Sequence, residues 1–203
     1  MKESIRRMKT FTNELYHHGI KGQRWGVRRY QNPDGSLTDE GRKRQYYRQR
    51  VNRELKYVDD VNTIVDSLSE NEKRMLGMKS NDTKWIEDDA RAETVVNIAK
   101  TFIQKHGDTP VSMLEIWDDG TDVGQIAIAT NPNYRGSGAT TKNINDAIKW
   151  FNSQSNKKLK DLQWNNLKEN SKSGQIASKH GFGELETDDL WEYRIMRKNG
   201  GTK

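Results

Sequence analysis

The sequence predicts an α/β (α+β) fold, in which a mixed central sheet with flanking helices is preceded by amphipathic helices and a basic N-terminal arm. From residue 111 onward, short apolar runs alternate with helical patterns in the order β-β-α-β-α-β-β, which is typical of helices packed on a mixed sheet. Basic side chains concentrate at the N-terminus, because residues 1–56 contain 15 Lys or Arg and only 6 Asp or Glu. We therefore divide the chain into an arm at 1–44, a helical linker region at 45–84 and a folded domain at 85–203.

Three helices are predicted before residue 107. Turn-forming residues over 31–36 are followed by apolar residues at every third or fourth position, which predicts a helix over roughly 40–67. Ser69, with Glu72 three residues later, matches a capping box and predicts a short helix that Gly77 ends. A further amphipathic helix is predicted within 85–106 from the spacing of Trp85, Ala92, Val95, Val96, Ala99, Phe102 and Ile103.

The strands are predicted in the C-terminal half. Two β-like runs, Val111–Trp117 and Val123–Ala129, flank a turn around Gly120 and predict an antiparallel hairpin. The remaining predicted elements are a helix carrying Ile144, Ala147, Ile148 and Phe151, a strand at Leu159–Trp164, a helix at Ser171–Lys179 ended by Gly181, and a hairpin of Gly183–Leu185 with Leu190–Met196.

The composition excludes several classes of site. The chain has no cysteine, which excludes disulfides, thiolate metal ligands and a cysteine nucleophile. No apolar run approaches the ~20 residues of a membrane-spanning helix, and the N-terminus lacks the apolar core of a signal peptide, so we expect no membrane partner. The adjacent His17 and His18 have no other histidine near them in the sequence, and we expect no metal.

One glycine-rich turn, Asn131–Thr140, lies between a predicted strand and a predicted helix. Gly136 and Gly138 let the backbone approach a ligand closely, and the following helix directs its unpaired N–H groups at the same point. This arrangement predicts a phosphate or pyrophosphate site, to which Arg135 adds a positive charge. The alternative is a tight strand–helix connection with no ligand.

The run from Ile126 to Trp150 resembles the acetyl-CoA-binding core of the GNAT family of N-acetyltransferases. The family motif, Arg or Gln-x-x-Gly-x-Gly or Ala, corresponds to Arg135–Thr140, with Thr140 departing from the usual small residue. A second family feature is an Asn eleven residues before a Gly-Phe pair, here Asn170 and Gly181-Phe182. The resemblance covers roughly residues 110–197.

This resemblance implies direct transfer of an acetyl group from acetyl-CoA, as co-substrate, to the amine of a protein or a small molecule. The backbone near Ile128 and Thr130 would bind the pantetheine arm and polarise the acetyl carbonyl, and Asn170 would reach the pantetheine. The residues implied in binding the pyrophosphate are Arg135, Gly136, Ser137, Gly138, Ala139 and Thr140.

The catalytic acid and base depart from the family pattern. Many members carry a Tyr seven residues after the Asn as general acid, but that position is Ala177 here, and Ser173 on the same helical face is our substitute. For the general base we take Glu115 on the strand before the motif. Glu169 and Glu184 are the next candidates, and a water-mediated base is an alternative. For each carboxylate, a solvated surface group is the more common interpretation.

The arm interleaves glycines, aromatic residues and basic residues over 16–44, a composition that suits contact with nucleic acid and equally suits a solvated arm. The segment is similar to one found near one end of head and head-associated proteins of tailed phages that infect Gram-positive bacteria. That resemblance implies a phage-encoded protein in the host cytoplasm or in the virion, with residues 1–56 contacting phage head proteins or nucleic acid.

Three functions therefore remain open on the sequence alone. The first is an acetyl-CoA-dependent N-acetyltransferase. The second is a virion- or head-associated phage protein whose acetyltransferase-like domain is a non-catalytic scaffold. The third is a nucleic-acid-binding arm attached to a globular domain, which salt-dependent DNA binding would distinguish.

Overall fold

The computed structural model of the protein describes residues 30–80, 82–118, 120–153 and 159–198. The chain divides into two compact units, residues 1–45 and residues 46–203. In the first unit the predicted turn is confirmed, because Gly35 has a φ of 85° and its amide donates to the carbonyl of Asn32. The arm before residue 30, including His17 and His18, lies outside the described residues.

Among the described residues, four helices precede the sheet: α1 (Asp39–Leu55), α2 (Val58–Asp66), α3 (Glu70–Met75) and α4 (Arg91–Val95). The helix expected over 40–67 is therefore two helices. The break at residues 56–57 separates α1 from α2, whose Val61, Ile64 and Val65 are fully buried. The capping box that starts α3 is confirmed, with Ser69 and Glu72 each bonding the other's backbone amide.

The single helix predicted within 85–106 is wrong, because only the short α4 is helical there and the residues that follow form a strand, β1 (Ile98–His106). β1 pairs antiparallel with the next strand, and the pairing shifts register between Ile98 and Lys100 and again between Gln104 and Lys105. Register irregularities interrupt the two-residue alternation of a strand. The apolar residues of β1 consequently recur at intervals that resemble those of a helix.

A six-stranded mixed sheet forms the centre of the second unit, with strand order β1-β2-β3-β4-β6-β5. All neighbouring strands are antiparallel except β3 and β4, which are parallel. The predicted hairpin and the predicted order of elements after residue 111 are confirmed. The remaining elements are β2 (Thr109–Asp118), β3 (Val123–Thr130), α5 (Ala139–Ser153), β4 (Asp161–Leu167), α6 (Ser171–Lys179), β5 (Glu184–Thr187) and β6 (Trp191–Arg197).

The two faces of the sheet carry different helices. Alternate residues of β2 point to opposite faces and show which helices cover each one. Leu114 and Ile116 belong to a core cluster with Phe151 of α5 and Ala177 of α6. Met113, one position along, belongs to a separate cluster with the buried stripe of α2. Helices α5 and α6 thus cover one face and α2 the other. Within the described ranges, no helix is both long and apolar enough to span a membrane.

Candidate active site

A cleft of about 1220 Å³ opens where the parallel strands β3 and β4 separate. Their ladder begins at Val123 and Asp161 and ends after four residue pairs, at Ile126 and Trp164. Both strands continue beyond that point, and residues 127–130 of β3 and 165–166 of β4 line the cleft. The β4-facing edge of β3 therefore has main-chain donors and acceptors outside the ladder, which an extended ligand can pair with.

The glycine-rich turn lies at this cleft. Gly136 and Gly138 have φ values of 82° and 83°, a conformation that side chains with a Cβ rarely adopt. A Cβ placed on either residue would meet nothing within 4 Å, so each glycine faces open space. Helix α5 begins directly afterwards, at Ala139, and its first amides have no partners within the helix. The turn therefore presents amide donors and the positive end of a helix dipole to an anion.

Thr140, which departs from the family motif, uses its hydroxyl for a structural contact. It shares a 2.7 Å hydrogen bond with the hydroxyl of Thr130, which in turn lies 2.9 Å from that of Ser112. The fully buried Asn143 donates to Ser112 at 3.0 Å. These hydrogen bonds connect the first turn of α5 to β3 and β2. Of the turn residues, Arg135, Gly136, Gly138 and Thr140 line the cleft. The Ser137 hydroxyl accepts from the Ala139 amide at 3.4 Å.

Asn170 and Ser173 line the cleft on the opposite side, at the start of α6. The side-chain oxygen of Asn170 caps the helix by accepting from the Ser173 amide, which leaves its NH₂ group for a ligand. The Ser173 hydroxyl oxygen accepts from the Trp164 indole at 2.9 Å and therefore keeps its own proton for another acceptor. Ala177 is 0% exposed within the core, so the tyrosine position of the family faces the sheet here.

Helix α3 connects the two sides of the cleft through ion pairs. Glu72 pairs with Arg135 of the glycine-rich turn, and Arg74 pairs with Glu169, the residue before Asn170. Partial burial acts against ionisation of Glu72, but hydrogen bonds from Ser69 and the Arg135 guanidinium lower its pKa below the usual value. Arg135 thus has an anionic partner already in place at the predicted phosphate site.

Glu115 lies behind the cleft and does not line it. Its side chain is 1% exposed on β2, and one oxygen, Oε2, accepts from the indoles of Trp85 at 2.8 Å and Trp117 at 3.0 Å. Burial raises the pKa of Glu115 to about 7, against the lowering effect of the two indole hydrogen bonds, and the nearby Glu54 carboxylate raises it further. Of the other base candidates, Glu169 pairs with Arg74, and the side chain of Glu184 lies outside the described residues.

Sequence reasoning missed the apolar part of the cleft, which is lined by Leu68, Met75, Leu76, Trp85 and Trp117. It also missed Asn166 of β4, whose buried Oδ1 has no hydrogen-bond partner among the described residues. None of these residues belongs to a motif. Within the described ranges, no group of three or more His, Asp or Glu side chains is arranged to hold a metal ion.

The comparisons with known proteins agree with this geometry. The model of the acetyltransferase (GNAT) family matches residues 63–182, and that of a family of unknown function (DUF7211) matches residues 8–32. A search of curated proteins finds no significant match.

Among solved structures, an acetyltransferase of the GNAT family from Streptococcus pneumoniae is 16% identical, with a TM-score of 0.53 over 70% of this chain and 92% of that one. The ribosomal L7/L12 alpha-N-protein acetyltransferase RimL, in complex with coenzyme A, is 11% identical, with a TM-score of 0.53 over 72% and 92%. The ribosomal-protein-S5-alanine acetyltransferase from Vibrio fischeri is 14% identical, with a TM-score of 0.51 over 70% and 90%. At these identities the likeness is one of fold. Because the matched family model spans more than half of the sequence and the fold agrees, the chain belongs to the GNAT family of acetyltransferases.

Proposed function

We propose that this protein transfers the acetyl group of acetyl-CoA to a primary amine. One observation carries the proposal: the parallel strands β3 and β4 separate beyond Ile126 and Trp164, and the glycine-rich turn lies at the same cleft. A separated pair of parallel strands offers unpaired main-chain groups to an extended chain, and the turn offers amides to a pyrophosphate. Acetyl-CoA combines these two features.

The expected binding residues fit this ligand. The main chain near Ile128 and Thr130 would bond the pantetheine amides and polarise the acetyl carbonyl. The amides of Gly136, Gly138 and Thr140 would hold the pyrophosphate, with Arg135 beside them. On the α6 side, the NH₂ group of Asn170, which the helix cap does not use, would donate to the pantetheine.

The chemistry needs no covalent enzyme intermediate. The amine nitrogen attacks the thioester carbon, the C–N bond forms, and the C–S bond breaks as the tetrahedral intermediate collapses. The Ser173 hydroxyl, which lines the cleft, donates a hydrogen bond to the departing thiolate, and the proton that the amine releases reaches the thiolate through water. The amine loses its proton to water in the cleft, because Glu115 lies behind the two indoles and does not line the cleft.

Isothermal titration with acetyl-CoA tests the binding half of this proposal. Gly138→Val places a side chain in the space the pyrophosphate would occupy, and we expect it to abolish binding. Gly120→Val is the matched control, because Gly120 also has a positive φ, 101°, and open space around it, but lies in the β2–β3 turn. Equal acetyl-CoA affinity in the two variants would remove the turn from the site and the proposal with it.

We further propose that the N-terminal arm is a docking segment of a phage-encoded protein. The separate family-model match at 8–32 and the net charge of +9 over residues 1–56 support a module distinct from the acetyltransferase domain. An acidic partner, phage head protein or nucleic acid, suits that charge. Binding of duplex DNA that weakens steeply with salt and disappears without residues 1–44 would favour nucleic acid, and co-purification with phage heads would favour the head protein.

A further inference from the structure

The cleft extends beyond the part that acetyl-CoA needs, along the face of the sheet that carries α2. Trp117 pairs in register with Gln125, one residue before the β3–β4 ladder ends. A pantetheine arm entering from the glycine-rich turn has its deepest point at that end of the ladder. If the protein transfers acetyl groups as proposed above, the acceptor amine must therefore approach past Trp117 and its neighbour Trp85, both of which line the cleft.

The two indoles form one wall. Their ring centroids lie 6.1 Å apart at an interplanar angle of 90°, an edge-to-face arrangement. Each indole has a single polar hydrogen, and both of these hydrogens are donated to the same oxygen of the buried Glu115. The polar atoms of the wall are thus satisfied from behind, and carbon surface is what remains for the cleft.

The carboxylates of the cleft lining are likewise already paired. The carboxylates among the described lining residues are Glu72 and Asp118. Glu72 pairs with Arg135, and Asp118 pairs with the buried Arg50 at 3.2 Å. A polyamine or an aminosugar, whose ammonium and hydroxyl groups are strongly hydrated, would lose water against the two indoles without replacement. An ammonium on an aromatic body would gain ring faces, which attract cations, and apolar contact.

We propose that Trp85 and Trp117, with Leu68, Met75 and Leu76, form the acceptor subsite, and that its substrates are primary amines carried on an aromatic group. The subsite selects the body of the acceptor by apolar contact and leaves the amine directed at the end of the β3–β4 ladder. Glu115 is a positioning residue in this subsite, since it reaches the cleft only through the two indoles.

Binding measured apart from turnover tests the subsite. The probes are phenylethylamine and putrescine, titrated into the CoA-saturated protein while the indole N–H signals are followed by NMR. We expect phenylethylamine to shift the Trp85 and Trp117 signals and to bind at least tenfold more tightly than putrescine. Trp117→Leu, which keeps apolar volume but removes the ring, should weaken phenylethylamine binding about tenfold and leave the acetyl-CoA affinity unchanged.

Trp150→Leu is the matched control, because Trp150 packs edge-to-face on Phe102 outside the cleft and should change neither affinity. Trp117→Phe keeps a ring face and should retain the preference for phenylethylamine over putrescine. Comparison with Trp117→Leu then distinguishes loss of ring recognition from loss of folding. Equal binding of the two amines, or unshifted Trp85 and Trp117 signals, would overturn the subsite. If the wild type does not bind acetyl-CoA, the proposed acetyl transfer is overturned instead. The amine titration without CoA would still show whether Trp85 and Trp117 bind the aromatic amine.

Discussion

Arg135 must exchange one anionic partner for another when acetyl-CoA binds, which makes Glu72 a competitor of the pyrophosphate. Glu72→Gln isolates this competition, because the two Glu72 oxygens have separate roles. Oε1 pairs with Arg135, while Oε2 accepts from the Ser69 amide at 2.9 Å and the Ser69 hydroxyl at 2.8 Å. Gln serves in a capping box as well as Glu, so the variant removes the charge and keeps the cap of α3.

The expected size of the effect follows from exposure. The Arg135 and Glu72 side chains are 53% and 26% exposed, and exposed pairs contribute roughly 0.2–1 kcal/mol. Releasing that energy should tighten acetyl-CoA binding by about 1.5- to 5-fold in Glu72→Gln. A charged hydrogen bond contributes about 1.5–3 kcal/mol, so after the pair is subtracted Arg135→Ala should weaken binding by about 1–2 kcal/mol, or roughly 5- to 30-fold.

Isothermal titration of the two single variants and the double variant completes a double-mutant cycle. If Glu72 competes with the pyrophosphate for Arg135, Glu72→Gln has no effect on acetyl-CoA affinity once Arg135 is Ala. A gain that persists in the Arg135→Ala background would refute it, as would weaker binding by Glu72→Gln in the wild-type background.

Three other predictions concern stability and turnover. Burial raises the pKa of Glu115 to about 7, so the folded protein binds more protons than the unfolded chain between about pH 4.5 and 7. The free energy of unfolding should therefore fall as the pH rises through that window. Chemical denaturation should show Glu115→Gln stabilising the protein at pH 8 by up to about 3 kcal/mol and flattening this slope; an unchanged slope would contradict the assignment. Ser173→Ala should lower kcat on the order of tenfold or less, since a thiolate with a pKa of ~8.5 leaves with little acid help, and a loss beyond a hundredfold would give Ser173 a larger role. Removing residues 1–44 should leave a cooperative thermal transition. Removing residues 1–84 should abolish the transition, because it also removes Val61, Ile64 and Val65, which are fully buried against the sheet. A folded 85–203 fragment would instead support the domain boundary predicted from the sequence.

Local signals explain what the sequence predicts well. The β2–β3 hairpin is marked by apolar runs around Gly120, α6 by Gly181, and α3 by its capping box. The glycine-rich turn and Asn170 were located by motif, and the structure places both at one cleft. In each case the residues that determine the conformation are close together in the sequence.

The rest depends on contacts between distant segments. β1 is a strand because β2 pairs with it, and its bulges hide the strand period. The Trp85–Glu115–Trp117 arrangement joins residues 30 positions apart, and neither indole carries a sequence signal that separates a cleft wall from a core residue. Ala177 occupies the position at which many family members carry the general-acid Tyr. It is a core residue here, because α6 turns that position toward the sheet.

Release of the CoA thiol on mixing the protein with acetyl-CoA and phenylethylamine tests the central claim most directly. The chain has no cysteine, so a thiol reagent reports only released CoA. Acetyl transfer predicts thiol release matched one to one by N-acetylphenylethylamine in the mass spectrum, abolished in Gly138→Val and retained in Gly120→Val. Acetyl-CoA that stays intact with the wild type in the presence of this amine and of a panel of peptide and small-molecule amines would contradict it.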